Sequence, residues 1–142
     1  MSTLGIDLGT THTVLARAGR ALHPKGRTPI VPSAMSVPPD GPILVGRRAL
    51  DRRAIDPEQT ILPSKRLIAR PFVVSWRDEF QPYFGPPPTG TGSNDFGFRT
   101  QPRVFSPPHV AGQLLSYAPH RPGVGSRDPS PRVSLPALSY QR

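Results

Sequence analysis

The chain contains no cysteine, which excludes disulfide bonds and thiolate metal sites. It has no apolar run of the roughly 20 residues that a membrane-spanning helix needs. No basic region followed by an apolar stretch of signal-peptide length opens the sequence, so we expect a cytoplasmic protein. Hydrophobic residues make up 35% of the 142 residues and aromatic residues 7%. These low values predict at most one domain with a modest core.

Lysine is also scarce: Lys25 and Lys65 are the only two, and the net charge of +9 comes almost entirely from arginine. Such a charge attracts polyanions in general, including nucleic acids, acidic membranes and nucleotides. The arginines are scattered and are not interleaved with aromatic residues, so nucleic-acid binding is only a generic expectation. Proline (21) and glycine (13) together form about a quarter of the chain, close to the level at which disorder becomes a serious alternative.

Hydrophobic periodicity divides the chain into short elements. Residues 3–8 and 13–16 predict a β-hairpin joined by a turn at 9–12 and extended by 18–25. Helices are predicted at 46–55, ended by Asp56 and Pro57, and at 106–117, with Ser106 as N-cap and Pro119 and Pro122 beyond its end. Strands are predicted at 43–45, 73–76 and 132–135, an edge strand or irregular segment at 30–37, a mixed segment at 61–68 and a loop at 86–93.

Residues 5–11, GIDLGTT, carry the strongest chemical signal in the sequence. A short apolar strand delivers Asp7, then Gly9, then the adjacent hydroxyls of Thr10 and Thr11. Because glycine has no Cβ, the backbone at Gly9 can approach an anion closely, and the following amides can point at phosphate oxygens. Asp7 would hold Mg²⁺ through water, since magnesium gives up its hydration shell reluctantly. Taken alone, the same pattern is also compatible with a plain hairpin turn.

This stretch resembles the first phosphate loop of the actin-like ATPases, and of the DnaK-type 70-kDa heat-shock chaperones in particular. Later blocks resemble that family in the same order: PSA at 32–34, ILVGRRA at 43–49, DPEQT at 56–60 with KRLIAR at 65–70, SPP at 106–108 with LL at 114–115, and VSLPA at 133–137 with QR at 141–142. The resemblance implies an α/β fold of the ribonuclease-H-like (actin-like) ATPase type. It would be incomplete, with a mixed sheet and a Pro-rich, partly irregular second half.

The resemblance also implies roles for particular residues. Gly9, Thr10, Thr11 and His12 would contact the phosphates of ATP, and Asp7 would lie near Mg²⁺. His12 stands where the family usually has Asn or Tyr, which is a departure within the loop itself.

Three further roles follow from the resemblance. Lys65 would match the catalytic lysine that orients the attacking water at the γ-phosphate, a role that suits a point charge near developing negative charge. Without the family, Lys65 reads as a solvated surface lysine. Pro136 and Arg142 would match the proline and arginine that couple nucleotide state to the peptide-binding domain.

Other departures weaken the expected activity. The proline pair 119 and 122 interrupts a helix that is continuous in the family, and an interior proline costs roughly 3 kcal/mol. The sequence shows neither the second phosphate loop nor the catalytic carboxylates of the family. We therefore expect weak nucleotide binding and little or no hydrolysis, which leaves open whether the chain is an enzyme.

These observations predict an N-terminal lobe segment at 1–70 with the first phosphate loop, an irregular Pro/Gly-rich insert at 71–105, and a degraded remainder of the same lobe at 106–142. The expected function is that of an ATP-binding piece of a chaperone. Client peptides and co-chaperones would be partners only if the other domains exist elsewhere. Two alternatives stay open: a partly disordered, arginine-rich protein that binds acidic partners or polyanions, and a decayed reading frame without function.

Overall fold

The computed structural model describes residues 4–17, 20–22, 30–62, 64–75, 77, 85–92, 94–101 and 103–117, together with the backbone of 132–134. The described strands are β1 (Leu4–Leu8), β2 (His12–Arg17), β3 (Arg20–Ala21), β4 (Ile30–Pro32), β5 (Met35–Ser36), β6 (Leu44–Val45), β7 (Thr60–Ile61), β8 (Pro88–Gly90), β9 (Phe96–Arg99), β10 (Val104–Phe105) and β11 (Arg132–Ser134). Two α-helices have both ends within the described residues, α1 (Arg47–Arg52) and α2 (Pro107–Tyr117).

The predicted hairpin is confirmed as the antiparallel pair β1–β2, with Leu4 opposite Arg17 and Leu8 opposite Thr13. Alternate residues of β1 are buried, as the period of two predicts, because successive side chains of a strand point to opposite faces. Strands β3 and β4 both pair with β2, and β11 lies parallel to β1. The resulting five-stranded sheet is mixed, as the sequence predicts.

A second sheet, in the order β6-β5-β7, is antiparallel and packs beside α1. The predicted strand at 43–45 is confirmed as β6, whereas the helix predicted over 46–55 is shorter and ends at Arg52. The Arg52 Nε donates a hydrogen bond of 2.8 Å to Asp56, and the chain turns there into a 3₁₀-helical turn at Pro57–Gln59. Ala49 is the fully buried residue of α1.

The segment 71–105, predicted to be irregular, contains a third sheet in the order β10-β9-β8. The loop predicted at 86–93 was wrong where β8 forms: Pro88 is the first residue of an edge strand, a position that tolerates a missing amide donor. The strand predicted at 73–76 was also wrong. Val74 and Ser75 are helical, and the side chain of Val74 is exposed. The strand preference of valine comes largely from packing on a half-buried sheet surface, which an exposed side chain does not have.

Helix α2 begins and ends as its sequence predicts within the described residues. The amide of His109 donates to the Oγ of Ser106 at 3.4 Å, which confirms Ser106 as N-cap. Val110 and Leu114 are buried against the core. Pro119 and Pro122, which are predicted to end this helix, lie outside the described residues. No helix in the described ranges is long and apolar enough to cross a membrane.

One core joins all three sheets to α2. It consists of eleven buried side chains: Leu8, Met35, Val37, Val45, Ile61, Leu67, Phe96, Phe98, Phe105, Val110 and Leu114. A smaller cluster of Leu4, Ile6 and Leu15 lies under the hairpin. The segment 71–105, predicted to be an irregular Pro/Gly-rich insert, thus supplies three phenylalanines to the core that contains Leu8 of β1.

Candidate functional site

The turn between β1 and β2 carries the predicted phosphate loop. The amide of Gly9 donates to the carbonyl oxygen of Asp7 at 3.1 Å, which turns the chain tightly after the strand. A Cβ built on Gly9 would overlap the carbonyl oxygen of His12. Glycine is therefore required at this position by the turn itself, before any ligand is considered.

Ser33 braces this turn from the end of β4. Its amide donates to the carbonyl oxygen of Thr11 at 2.9 Å, and its Oγ donates to the carbonyl oxygen of Gly9 at 2.9 Å. Its Oγ also lies 3.1 Å from the Oγ1 of Thr13. Ser33 and Thr13 are both buried, so the contact between their hydroxyls is shielded from water, whereas the bond to Gly9 is partly buried.

Lys65 begins a 3₁₀-helical turn (Lys65–Leu67) that packs against α2. Its ammonium group donates a hydrogen bond to the carbonyl oxygen of Leu8, at the end of β1. Burial lowers the pKa of Lys65 below its ordinary value of 10.5, while the negative charge of Asp7 opposes that shift. The fold thus places a partly desolvated cation beside the phosphate loop and within the field of Asp7.

A small pocket lies where these elements meet. It is lined by Leu8, Gly9, Thr10, Ser33, Ser64, Lys65, Ala111 and Leu114. Its enclosed part has room for about one water molecule. A phosphate group is larger than this enclosed space, so an anion beside the turn would lie mainly outside it, in solvent.

The structure brings together some of the predicted site residues and separates others. Gly9, Thr10 and Lys65 line the same pocket. Thr11 and His12 are exposed on the outer part of the turn, and Asp7 is exposed on the face of β1 opposite the core. Their predicted contacts with phosphate and metal remain predictions.

Two predicted residues, Pro136 and Arg142, lie outside the described residues. Their proposed role in coupling domains stays a prediction.

Metal binding rests on Asp7 among the described residues. Those residues contain no group of three or more His, Asp or Glu side chains that could hold a metal ion directly. A single exposed carboxylate suits Mg²⁺, which keeps several waters and shares its coordination with substrate phosphates. The predicted role of Asp7 near Mg²⁺ stays a prediction.

The buried polar residues next to the turn have no assigned role in the sequence-based prediction. Ser33 was included in the PSA block without a role, and neither Ser64 in the pocket nor Thr13 beneath the turn was singled out. The available signal was Ser33, a small polar residue between the apolar residues Pro32 and Ala34. Such residues are buried only when hydrogen-bonded, and that pattern points to a backbone that needs partners.

Comparison with known proteins places this chain among chaperone sequences. It is 47% identical over 72 residues to the Chaperone protein HscA homolog of Azotobacter vinelandii, which covers 47% of this chain and 11% of that protein. It is 32% identical over 119 residues to the corresponding HscA homolog of Bordetella petrii, over 80% of this chain and 18% of that protein. The Chaperone protein DnaK of Akkermansia muciniphila is 30% identical over 119 residues, or 80% of this chain.

The chain spans less than a fifth of the length of these curated relatives. No protein-family model matches it. The similarity therefore concerns one portion of the relatives.

Proposed function

We propose, from the homology of this chain to the 70-kDa heat-shock chaperones of the HscA and DnaK type, that its β1–β2 turn binds the phosphates of ATP with Mg²⁺. One observation carries the proposal: Gly9 and Thr10 line one pocket with Lys65, which lies 57 residues beyond Leu8 in sequence. A hairpin turn without a ligand is stable without a partly buried lysine from a distant part of the chain beside it. An anion beside the turn would use both the backbone amides and that cation.

The chemistry assigned to each group follows from its position. The amide and hydroxyl of Thr10 would contact phosphate oxygens beside Gly9, whose lack of a Cβ leaves room for them. Lys65 would supply the positive charge nearest to those oxygens. Asp7 would hold waters of the Mg²⁺ shell. When bound, Mg²⁺ neutralises phosphate charge and orients the phosphates.

We propose that this chain binds ATP but hydrolyses it slowly or not at all. Phosphoryl transfer requires charge stabilisation around several oxygens together with a positioned water. The pocket offers one lysine and one nearby carboxylate, Lys65 and Asp7. Lys65 and Asp7 support the binding of a phosphate group with its metal ion. They supply only a small part of the electrostatic stabilisation that hydrolysis needs.

Calorimetric titration of the purified chain with Mg·ATP tests the proposal. We expect saturable binding that Thr10→Val and Lys65→Ala each weaken, because each removes a group from the pocket. Ser116→Ala, at an exposed position of α2, is the matched control and should leave the affinity unchanged. Metal-dependent ATP turnover that Lys65→Ala abolishes would contradict the expectation of binding without efficient hydrolysis.

A second candidate function is non-specific binding of polyanions, favoured by exposed arginines within α1 and directly after it. Arg48 and Arg53 are exposed, and the salt bridge of Arg47 to Asp51 is long, at 4.0 Å. Such binding falls steeply with salt concentration and does not depend on Thr10 or Lys65 in particular. Binding of Mg·ATP that survives moderate salt and needs the pocket residues therefore separates the two functions.

Activity on client proteins, interaction with co-chaperones and a cytoplasmic location are proposed for this protein by homology alone. They are properties expected of whole chaperones of this family. The chain matches 11–19% of the relatives' length, so these proposals require tests on the protein in its cellular context.

A further inference from the structure

We propose that Ser33 is a positioning residue that orients the phosphate-binding amides of the β1–β2 turn. The inference rests on the proposed function and adds a residue to it. Ser33 contacts the turn at two carbonyl groups, those of Gly9 and Thr11, from a different strand. It controls the turn through these bonds and is not itself proposed to bind nucleotide.

The directions of the hydrogen bonds follow from the number of protons. The Ser33 hydroxyl has one proton, which it donates to the carbonyl oxygen of Gly9 at 2.9 Å. The 3.1 Å contact between Ser33 Oγ and Thr13 Oγ1 must then be donated by Thr13. A directed chain therefore runs from Thr13 through Ser33 to Gly9, with Thr13 and Ser33 both buried.

The bonds at the two carbonyls orient two amides. A trans peptide group is planar, and its C=O and N–H point in opposite directions. Holding the carbonyl of Gly9 therefore sets the direction of the amide of Thr10, and holding the carbonyl of Thr11 sets that of His12. These amides belong to the loop that the proposed function assigns to phosphate.

Pro32, at the end of β4, fits the strand pairing that places Ser33 beside the turn. Pro32 lies opposite His12, and the neighbouring bond from the Ser33 amide to Thr11 makes the Pro32–His12 pair a non-hydrogen-bonded one. The missing amide of proline therefore costs no ladder bond. The next residue along the strand brings its amide and hydroxyl together under the turn.

The test compares Ser33→Ala and Ser33→Thr with the parent chain by calorimetric titration with Mg·ATP. We expect Ser33→Ala to weaken binding about threefold to tenfold, the usual effect of one lost hydrogen bond. Ser33→Thr keeps the hydroxyl and should restore the affinity to within about twofold. Rescue by the conservative variant distinguishes positioning by the hydroxyl from a general packing role.

Ser36→Ala is the matched control. Ser36 is a buried serine on the next strand that accepts a hydrogen bond of 3.2 Å from Thr60, a residue outside the turn. It should lower the melting temperature about as much as Ser33→Ala and leave the affinity for Mg·ATP unchanged. Equal affinity losses in the two variants would overturn the proposal.

A second measurement separates this inference from the proposed function. The amide ¹⁵N order parameter of Thr10 is compared without nucleotide, and Ser33→Ala should lower it toward about 0.6 or below while Ser36→Ala does not. The order parameter of His12 should stay the same in Ser33→Ala, because the backbone amide of Ser33 still holds the carbonyl of Thr11. If the parent chain fails to bind ATP, the proposed function is wrong, whereas a lower order parameter of Thr10 still supports the positioning role. An unchanged order parameter of Thr10 in Ser33→Ala overturns it. If Ser33→Ala does not fold, Thr13→Val, which removes the donor to Ser33, is measured in the same two ways.

Discussion

The ammonium group of Lys65 donates a hydrogen bond to the backbone carbonyl of Leu8, which joins a 3₁₀-helical turn to the end of the first strand. The two residues are 57 positions apart in sequence. The bond places a cation directly below the turn that begins at Gly9. Since burial lowers the pKa of Lys65 and Asp7 opposes that effect, the protonation state of the lysine is coupled to folding.

Lys65 gives the chain a specific dependence of stability on alkaline pH. Because the folded pKa lies below the ordinary 10.5, the unfolded chain binds more protons between the two values, and stability from this group rises with pH across that window. Below the window the lysine is charged in both states, and its burial costs stability. The free energy of unfolding of the parent should therefore rise relative to that of Lys65→Met as the pH approaches 10.5, in urea titrations at several pH values.

Arg66→Met is the control for this measurement. Arg66 is exposed and follows Lys65 directly, and its guanidinium stays charged throughout the window. Its difference from the parent should be constant with pH. A constant difference for Lys65→Met as well would show that the lysine is not desolvated by folding.

Asp7→Asn should reduce the effect of Mg²⁺ on ATP binding. In the parent chain, chelation of Mg²⁺ is expected to weaken the affinity for ATP, and the loss should be smaller in Asp7→Asn because the carboxylate that holds the hydrated ion is gone. Since Asp7 is exposed, the free energy of unfolding should change by no more than about 0.5 kcal/mol. The measurement is the ratio of dissociation constants with and without Mg²⁺.

Asp51→Asn removes an exposed carboxylate from α1 and serves as its control. It should retain the full response to Mg²⁺. The same response in Asp7→Asn and the parent would remove Asp7 from the proposed metal site.

Gly9→Ala should both destabilise the protein and weaken Mg·ATP binding. The new methyl group would overlap the carbonyl oxygen of His12, so the turn must open to accept it. We expect a loss of about 1–3 kcal/mol in the free energy of unfolding, the range for strain imposed on a backbone, measured by urea denaturation. Parent-like stability would mean that the turn is not tight at Gly9.

Gly112→Ala provides the opposite result with the same chemical change. Gly112 lies at an exposed position in α2, and no atom lies within 4 Å of a Cβ placed there. Alanine should stabilise the helix by about 0.5–1 kcal/mol and leave nucleotide binding unchanged.

Phe98→Ala tests whether the third sheet is part of the same cooperative unit as the phosphate loop. Phe98 is fully buried in the cluster that contains Leu8 and Met35. Its truncation should cost about 3–5 kcal/mol, a large share of the stability of a small domain. Urea denaturation followed by NMR signals from β1 should show the loss there as well.

Val104→Ala, in the neighbouring strand β10, is the control because Val104 is 44% exposed. It should change stability by no more than about 0.5 kcal/mol. If β1 keeps its parent stability in Phe98→Ala, the segment 71–105 unfolds independently of the first sheet.

Local pattern predicted the elements that depend on nearby residues. The hairpin follows from alternation in β1 and a glycine turn, and α2 follows from Ser106, a proline at its start and apolar residues at helical spacing. The strand β6 and a shorter form of α1 follow in the same way. In each case the signal and the structure it specifies lie within about a dozen residues.

The pairing of distant segments was not predictable from such patterns. Proline-rich composition led to an irregular segment at 71–105, yet Pro88 occupies an edge where its missing amide is harmless. Ser33 and Lys65 contact the turn because β4 and a 3₁₀-helical turn are brought to it by the packing of the core. Local residue preferences do not predict which backbone carbonyl group accepts a hydrogen bond from a buried hydroxyl or ammonium group.

The amino-acid sequence by itself determined the relationship to the chaperones, the hairpin with a glycine in its turn, and the identity of the candidate phosphate-binding groups. These depend on residue type and short spacing, which the chain carries whether or not it is folded. Only the tertiary structure decided that Ser33 braces the turn, that Lys65 is desolvated beneath it, and that Phe98 belongs to the same core. Hydrogen bonding in the interior and burial arise from contacts between segments far apart in sequence, and they exist only once those segments pack.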